Sequence, residues 1–316
     1  MKKLRLTKFS KILIVAIIVI AIAGIVGCKL YKDYKYKQTY EYKLLEKGYE
    51  LDDVKELENL FDSKRLDYIL TIEVNKNLID LAKAPYYIDK HLEEYLAYIE
   101  DNDVDVNTAI LKINTYTNYN FYEHDIEATD YSNTLIVNKY YLLKSDYVPE
   151  NLVDISGLYA WGTDQKATEE TLNAFIEMQK ACKEETGITL MINSSYRSYD
   201  EQQEVYDNYK KTYDEEYADG IAARPGHSEH QTGLALDIFS YTDNLRKTFA
   251  EGKTYEWLKA NCAKYGFIIR YPEGKENITG FTPEAWHYRY VGKELAQDIM
   301  SKGITYEEYY EYYLNK

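Results

Sequence analysis

Two stretches of the chain gather side chains that could hold a metal ion and move a proton. The first, HSEHQTGLALD, starts at His227 and contains two of the five histidines in the chain. If Thr232 to Phe239 is a strand, its side chains alternate between faces. Leu234, Leu236 and Ile238 then form a core face, and Gly233, Ala235 and Asp237 share the other. A face of two small residues and one carboxylate leaves a cavity with a single charge at its end. That charge needs a partner, because an unpaired buried charge is costly. His230, just before the strand, lies on the loop side of the same cavity. The bland alternative is a turn followed by an ordinary buried strand, with Asp237 as a cap or salt-bridge partner.

The second stretch is PEAWHYRYVG, Pro283 to Gly292. In a strand His287 and Arg289 share a face, and Glu284 lies three residues before His287 on the approach. An imidazole beside a carboxylate is general-base material. His230, Asp237 and His287 supply three N and O donors, the count a catalytic zinc asks for, with a fourth position left for water. Zinc lowers the pKa of such a water to ~7, and Glu284 is then free to take its proton. A third stretch, SSYRSYDEQ, places Arg197 after a strand at Thr189 to Asn193. Its forked, permanently charged donors suit a developing oxyanion or a carboxylate; its bland alternative is a loop anchor. His227 reads as turn structure or support behind the ligands. His91 reads as a solvated face residue, and His124, in YEHD, as surface.

The elements that must position these residues mix helices and strands without a βαβ rhythm. This predicts an α+β fold, a small antiparallel sheet flanked by helices. A helix is expected from about Thr168, as N-cap, to Thr186, stopped by Gly187. A strand follows at ITLMIN, then a helix from about Tyr199 to Tyr213 and the loop ADGIAARPGHSEHQ. A helix from Glu256 to Tyr265 ends at Gly266. FIIRY and AWHYRYVG are strands, and Lys293 to Leu314 is two short helices about Gly303. Residues 113–150 carry strand-like material, including TLIVNKYYLL at Thr134 to Leu143. Residues 38–112 read as short helices: Leu51, Val54, Leu57, Leu60 and Phe61 recur at helical spacing, as do Leu92, Leu96 and Ile99.

The amino-terminal residues Lys2, Lys3, Arg5, Lys8 and Lys11 precede an apolar run from Ile12 to Val26. A spanning helix needs ~20 apolar residues, with about 17 the lower limit, so the run is at the short end. Two readings compete: a retained anchor with its basic end inside, and a signal peptide whose Ile25-Val26-Gly27-Cys28 resembles a lipoprotein cleavage site. Both place Lys29 onward outside the cytoplasmic membrane and tethered to it. This divides the chain into an anchor or signal (1–28), a helical extension or spacer (29–112) and a catalytic domain (113–316). The chain carries 53 Asp+Glu against 38 Lys+Arg, a net charge of -15. That balance disfavours nucleic acid, which asks for basic patches, and no GxxxxGK phosphate loop is present. Cys182 and Cys262 follow no metal spacing and are expected as buried free thiols rather than a disulfide.

The three chemical stretches resemble the VanY-type D-alanyl-D-alanine carboxypeptidases, zinc peptidases of the group that also holds lysostaphin and the amino-terminal domain of hedgehog proteins. The resemblance rests on Ser228, His230, Gly233 and Asp237; on Glu284 and His287; and on Tyr196, Arg197, Ser198 and Gln202. It covers about Leu135 to Gly292. It implies that His230, Asp237 and His287 hold Zn2+, that Glu284 is the general base and that Arg197 stabilises the oxyanion. Ser228 would help hold the substrate's terminal carboxylate, Gln202 would contact substrate or orient Arg197, and Trp286 would wall the pocket. The implied partner is a peptidoglycan stem peptide, cut to release its last D-alanine. The alternatives are an L,D-carboxypeptidase acting on tetrapeptide stems and a non-catalytic zinc-binding wall module. Retention of Glu284 argues for an enzyme.

Overall fold

A computed structural model describes residues 7–315. The basic residues Lys2, Lys3 and Arg5 lie outside the described residues. The chain divides into two compact units, one ending at Ala109 and the other running from Ile110.

In the first unit, α1 (Lys8–Tyr36) begins at Thr7, whose hydroxyl accepts from the Ser10 amide. It continues without a break through Cys28, and none of its side chains is buried. At 1.5 Å per residue it is about 43 Å long. It is the one helix among the described residues long and apolar enough to cross a membrane. Five short helices follow, α2 (Tyr40–Lys47), α3 (Leu51–Leu60), α4 (Ser63–Thr71), α5 (Asn77–Lys83) and α6 (Leu92–Asn102), and α7 (Val106–Asn114) runs across the boundary between the units. Each of α3 to α6 turns a pair or triplet of apolar residues inward, such as Val54 and Leu57 or Leu92, Tyr95 and Leu96. The i, i+3 spacing read in the sequence is the reason.

The second unit opens with two small strand pairs. β1 (Ile126–Glu127) runs parallel to β2 (Tyr141–Leu142), and β3 (Leu152–Asp154) antiparallel to β4 (Lys166–Thr168). Helix α8 (Glu169–Thr186) is capped by the Thr168 hydroxyl and closed by Gly187 in the left-handed conformation. After it come β5 (Leu190–Ser194), α9 (Tyr199–Thr212), α10 (Glu215–Ile221), β6 (Ala235–Ser240), α11 (Arg246–Phe249), α12 (Lys253–Asn261), β7 (Phe267–Tyr271), α13 (Glu276–Thr279), β8 (Glu284–Tyr290), α14 (Lys293–Lys302) and α15 (Tyr306–Tyr309). The strands β5-β6-β8-β7 form one sheet, antiparallel throughout. One face buries Ile192, Leu236, Ile238, Phe267, Ile269 and Tyr288 against Phe175, Met178 and Cys182 of α8 and against Leu258 and Cys262. Cys182 and Cys262 are both buried and free. The other face carries Asp237 directly opposite His287, and Ala235 opposite Arg289.

Three sequence expectations change. Thr134 to Leu143 is not a strand beyond Tyr141 and Leu142, although Leu135, Ile136 and Val137 are buried. Side chains take the backbone groups that a neighbouring strand would have taken. Arg289 donates to the carbonyls of Asn133 and Leu135, Tyr306 donates to that of Thr134, and Asn138 Oδ1 accepts from the amides of Tyr140 and Tyr141. The long loop before His227 contains a helix, α10, capped by Asp214. Strand β6 begins at Ala235, not Thr232, because Glu229–Thr232 forms a 3-10 turn closed by Gly233.

Gly233 therefore does not clear the cavity face, as strand alternation suggests. It turns the chain at φ 67, and a Cβ there would lie 2.8 Å from Leu152 Cδ2 and 3.2 Å from Thr168 Cγ2. Strain and close approach act together at this position. Gly233→Ala is expected to destabilise the protein by about 1–3 kcal/mol, read as a lowered melting temperature; an unchanged one would show that the turn relaxes freely.

Candidate active site

Asp237 sits near the middle of the sheet on β6, fully flanked by β5 and β8. Its Oδ1 lies 3.1 Å from His287 Nδ1 and 3.6 Å from His230 Nε2. The two imidazoles meet edge to face, with centroids 5.0 Å apart and an interplanar angle of 88°. One donor atom from each of the three residues lies within 4.8 Å of the others, and all three residues are buried. Ligands at about 2.0–2.1 Å from a tetrahedral ion stand roughly 3.3 Å apart, so the observed separations fit such an ion. The remaining ring nitrogens are also engaged. His230 Nδ1 meets the Ser195 carbonyl at 2.7 Å, and His287 Nε2 faces Glu229 Oε2 at 3.4 Å. That leaves His230 Nε2 and His287 Nδ1 pointing into the site.

Burial and charge set the protonation of this cluster. Burial works against ionisation of Asp237, but the two histidines outweigh it and hold the carboxyl well below its usual range. Burial, then the nearby Arg197 guanidinium, pulls His230 below an ordinary imidazole. Burial also opposes charge on His287, but hydrogen bonds to Asp237 and Glu229 raise it to about 9. Burial pushes Glu284 up to about 7 against the pull of His287. Glu284 opens β8, and its Oε2 is 3.9 Å from His287 Nδ1. A carboxyl that exchanges its proton near neutrality beside a group able to hold a metal can act as a base and then as an acid.

The pocket in front of these groups is lined by Arg197, Gln202, Ser228, Arg246, Tyr271, Phe281, Glu284 and Trp286. A register shift in β5 between Ile192 and Ser194 ends its pairing beside Asp237 and sends the chain toward Arg197. The Arg197 amide donates to the His230 carbonyl at 3.1 Å, tying this loop to the 3-10 turn that carries His230. Among the described residues its guanidinium donates only to Ser194 Oγ, at 3.2 Å, so most of its donors stay available. Gln202, on α9, is buried; its amide nitrogen donates to the Ala223 carbonyl at 2.7 Å, while Oε1 has no partner among the described residues. Ser228 is buried immediately before the 3-10 turn.

Every site residue expected from the sequence reaches this pocket. His227 stands outside the three-residue group: its Nδ1 meets the Asn138 carbonyl at 2.8 Å and its ring lies edge-on to Tyr122. His91 is paired with Glu94 rather than freely solvated, and His124 stacks on Tyr119 with centroids 4.3 Å apart. Arg246 and Tyr271 are among the pocket residues that escaped the sequence reading. Arg246 opens α11, places its guanidinium 5.1 Å from the Trp286 ring centroid and comes within 3.6 Å of Asp237 Oδ2. Tyr271 closes β7, with its ring 5.0 Å from that of His287. A polar end on the apolar run FIIRY was the available signal for Tyr271; Arg246 had none.

The family model for VanY, D-alanyl-D-alanine carboxypeptidase, matches residues 164–293. The putative carboxypeptidase YodJ of Bacillus subtilis (strain 168) is 40% identical over 203 residues, 60% of this chain and 74% of its own. A D-alanyl-D-alanine carboxypeptidase of Enterococcus faecium is 31% identical over 223 residues, 68% of this chain and 70% of its own. Among solved structures, the LdcB LD-carboxypeptidase superposes with a TM-score of 0.52 at 41% identity, covering 56% of this chain and 84% of that one.

The three-donor geometry generates a direct test. Asp237→Asn keeps the shape but removes the charge that faces both imidazoles. Its bound metal per chain should fall to a small fraction of the parent's, measured by elemental analysis after dialysis; parental loading would remove Asp237 from the ligand set.

Proposed function

The chain belongs to the VanY family of D-alanyl-D-alanine carboxypeptidases, and on that premise we propose that it is a zinc-dependent carboxypeptidase that removes the terminal D-alanine from peptidoglycan stem peptides. The observation that carries this reading is the buried His230–Asp237–His287 group opening on a pocket that also contains Glu284 and Arg197. Two imidazoles, one carboxylate and an open side are the donor set of a catalytic zinc. His230, Asp237 and His287 would hold that ion, which when bound polarises a carbonyl and makes water acidic near neutral pH.

The chain's own residues supply the rest. Glu284 accepts the proton of the attacking water and passes it to the amine of the departing D-alanine. Arg197 lends its unengaged donors to the negative charge that develops on the carbonyl oxygen. Ser228 helps hold the terminal carboxylate. Gln202 lines the pocket and has a buried Oε1 without a partner among the described residues, suited to accept a hydrogen bond from a substrate N–H. Trp286 walls the pocket and carries Arg246 on its ring. The reaction takes place outside the cytoplasmic membrane, with the chain tethered either by a retained α1 or, after cleavage before Cys28, by a lipid on that cysteine. Residues 29–112 form the spacer and 113–316 the catalytic domain.

A second reading has its own support. The 41% identity to the LdcB LD-carboxypeptidase favours an L,D activity that shortens tetrapeptide stems at the same site. Incubation of the protein with defined penta- and tetrapeptide stems, followed by mass spectrometry, separates the two. The D,D reading predicts loss of one alanine from the pentapeptide and an intact tetrapeptide. Trimming of the tetrapeptide alone would establish the L,D reading, and two intact stems would overturn both. Glu284→Gln should keep the metal and lower kcat by on the order of 10²–10⁴; a near-parental rate in that variant would remove Glu284 from the proton path.

A further inference from the structure

Glu229, Arg270, Arg289 and Glu307 are charged side chains with almost no exposure, at 0%, 0%, 0% and 2%. None of them lies in the pocket's catalytic set, and together they are neutral. Glu229 Oε1 accepts from Arg270 Nε at 2.8 Å and from Arg289 Nη1 at 2.9 Å. Arg270 gives its other two nitrogens to the two oxygens of Glu307, at 2.9 and 2.6 Å. Arg289 gives its Nη2 to the carbonyls of Asn133 and Leu135. The two arginines therefore occupy one oxygen of Glu229 and leave the other, Oε2, facing His287 Nε2 at 3.4 Å.

We infer that Glu229 is the positioning residue for the metal site: held by Arg270 and Arg289, it keeps the His287 proton on Nε2 and presents Nδ1 to the ion. This rests on the zinc reading above. A ligating histidine needs a partner for its other nitrogen, which fixes the tautomer and the ring orientation. His230 has the Ser195 carbonyl for that purpose. His287 has Glu229, which comes from the same 3-10 turn as His230. One turn thus delivers one ligand and orients another, fifty-eight residues on from Glu229. The support reaches beyond the family span at 164–293, because Glu307 clamps Arg270 from α15.

The test uses the full-length chain in detergent, freed of metal and titrated with zinc against a chromophoric chelator. Glu229→Gln should bind zinc 10–100-fold more weakly. Met178→Ala serves as a destabilised control, since Met178 packs on the opposite face of the sheet. It should lower the melting temperature and leave zinc affinity at the parental value. In parallel, nitrogen-15 spectra of histidine-labelled, zinc-loaded parent should show the His287 proton on Nε2. Parental zinc affinity in a folded Glu229→Gln variant would overturn the inference, as would equal weakening in Met178→Ala or a proton on Nδ1. If Glu229→Gln does not fold, the ring-nitrogen signature decides. If the parent itself binds no zinc, the zinc reading fails, and this inference with it.

Discussion

A charge can be kept away from water only when another group meets it, and one face of the four-stranded sheet must satisfy that condition many times over. Asp237, His287, Arg289 and Arg270 project from β6, β8 and β7 into a space closed by the 3-10 turn of Glu229 and His230 and by α15. Asp237 is met by two imidazoles. Glu229 is met by two guanidinium groups, and Glu307 by one through both oxygens. Breaking one such buried pair generally costs about 3–5 kcal/mol, because the partner left behind is uncompensated. The site is thus a set of groups that hold one another, and its geometry follows from their mutual need.

The opposite face makes this possible. It is a conventional apolar layer, with Leu236, Ile238, Ile269 and Tyr288 packed on α8. Strand alternation then places Asp237 and His287 on the polar side, and the antiparallel register sets them side by side. Irregularities in the pairing do the remaining work. The shift in β5 frees the chain that carries Arg197, and the shift between β7 and β8 pairs Tyr271 with Glu284 at the pocket rim. Regular pairing sets Asp237 beside His287; departures from it bring Arg197, Tyr271 and Glu284 to the pocket.

Much of the site was legible because its residues are local in sequence. His230 and Asp237 lie seven apart, Glu284 and His287 three apart, and such spacings can be tested against a strand or turn on paper. The helix from Thr168 to Gly187 was legible for the same reason, with its cap, its period and its stop all written locally. Glu229 was not legible. It looks like one more acidic residue in a loop, and its partners lie 41 and 60 residues away. Thr134 to Leu143 misled because an apolar run can be buried without being paired. Its carbonyls are taken by Arg289 and Tyr306, which the local sequence does not announce. Gly233 was assigned to a cavity face on alternation, when backbone conformation was the operative constraint.

The central claim is that zinc is held by His230, Asp237 and His287, with Glu284 close by but outside the ligand set. Diffraction from zinc-loaded crystals, recorded on both sides of the zinc absorption edge, tests it most directly. The account predicts one anomalous peak per chain, about 2.0–2.2 Å from His230 Nε2, Asp237 Oδ1 and His287 Nδ1, with Glu284 beyond bonding distance. A peak at another place, or one bound by Glu284 in place of any of the three, would contradict it.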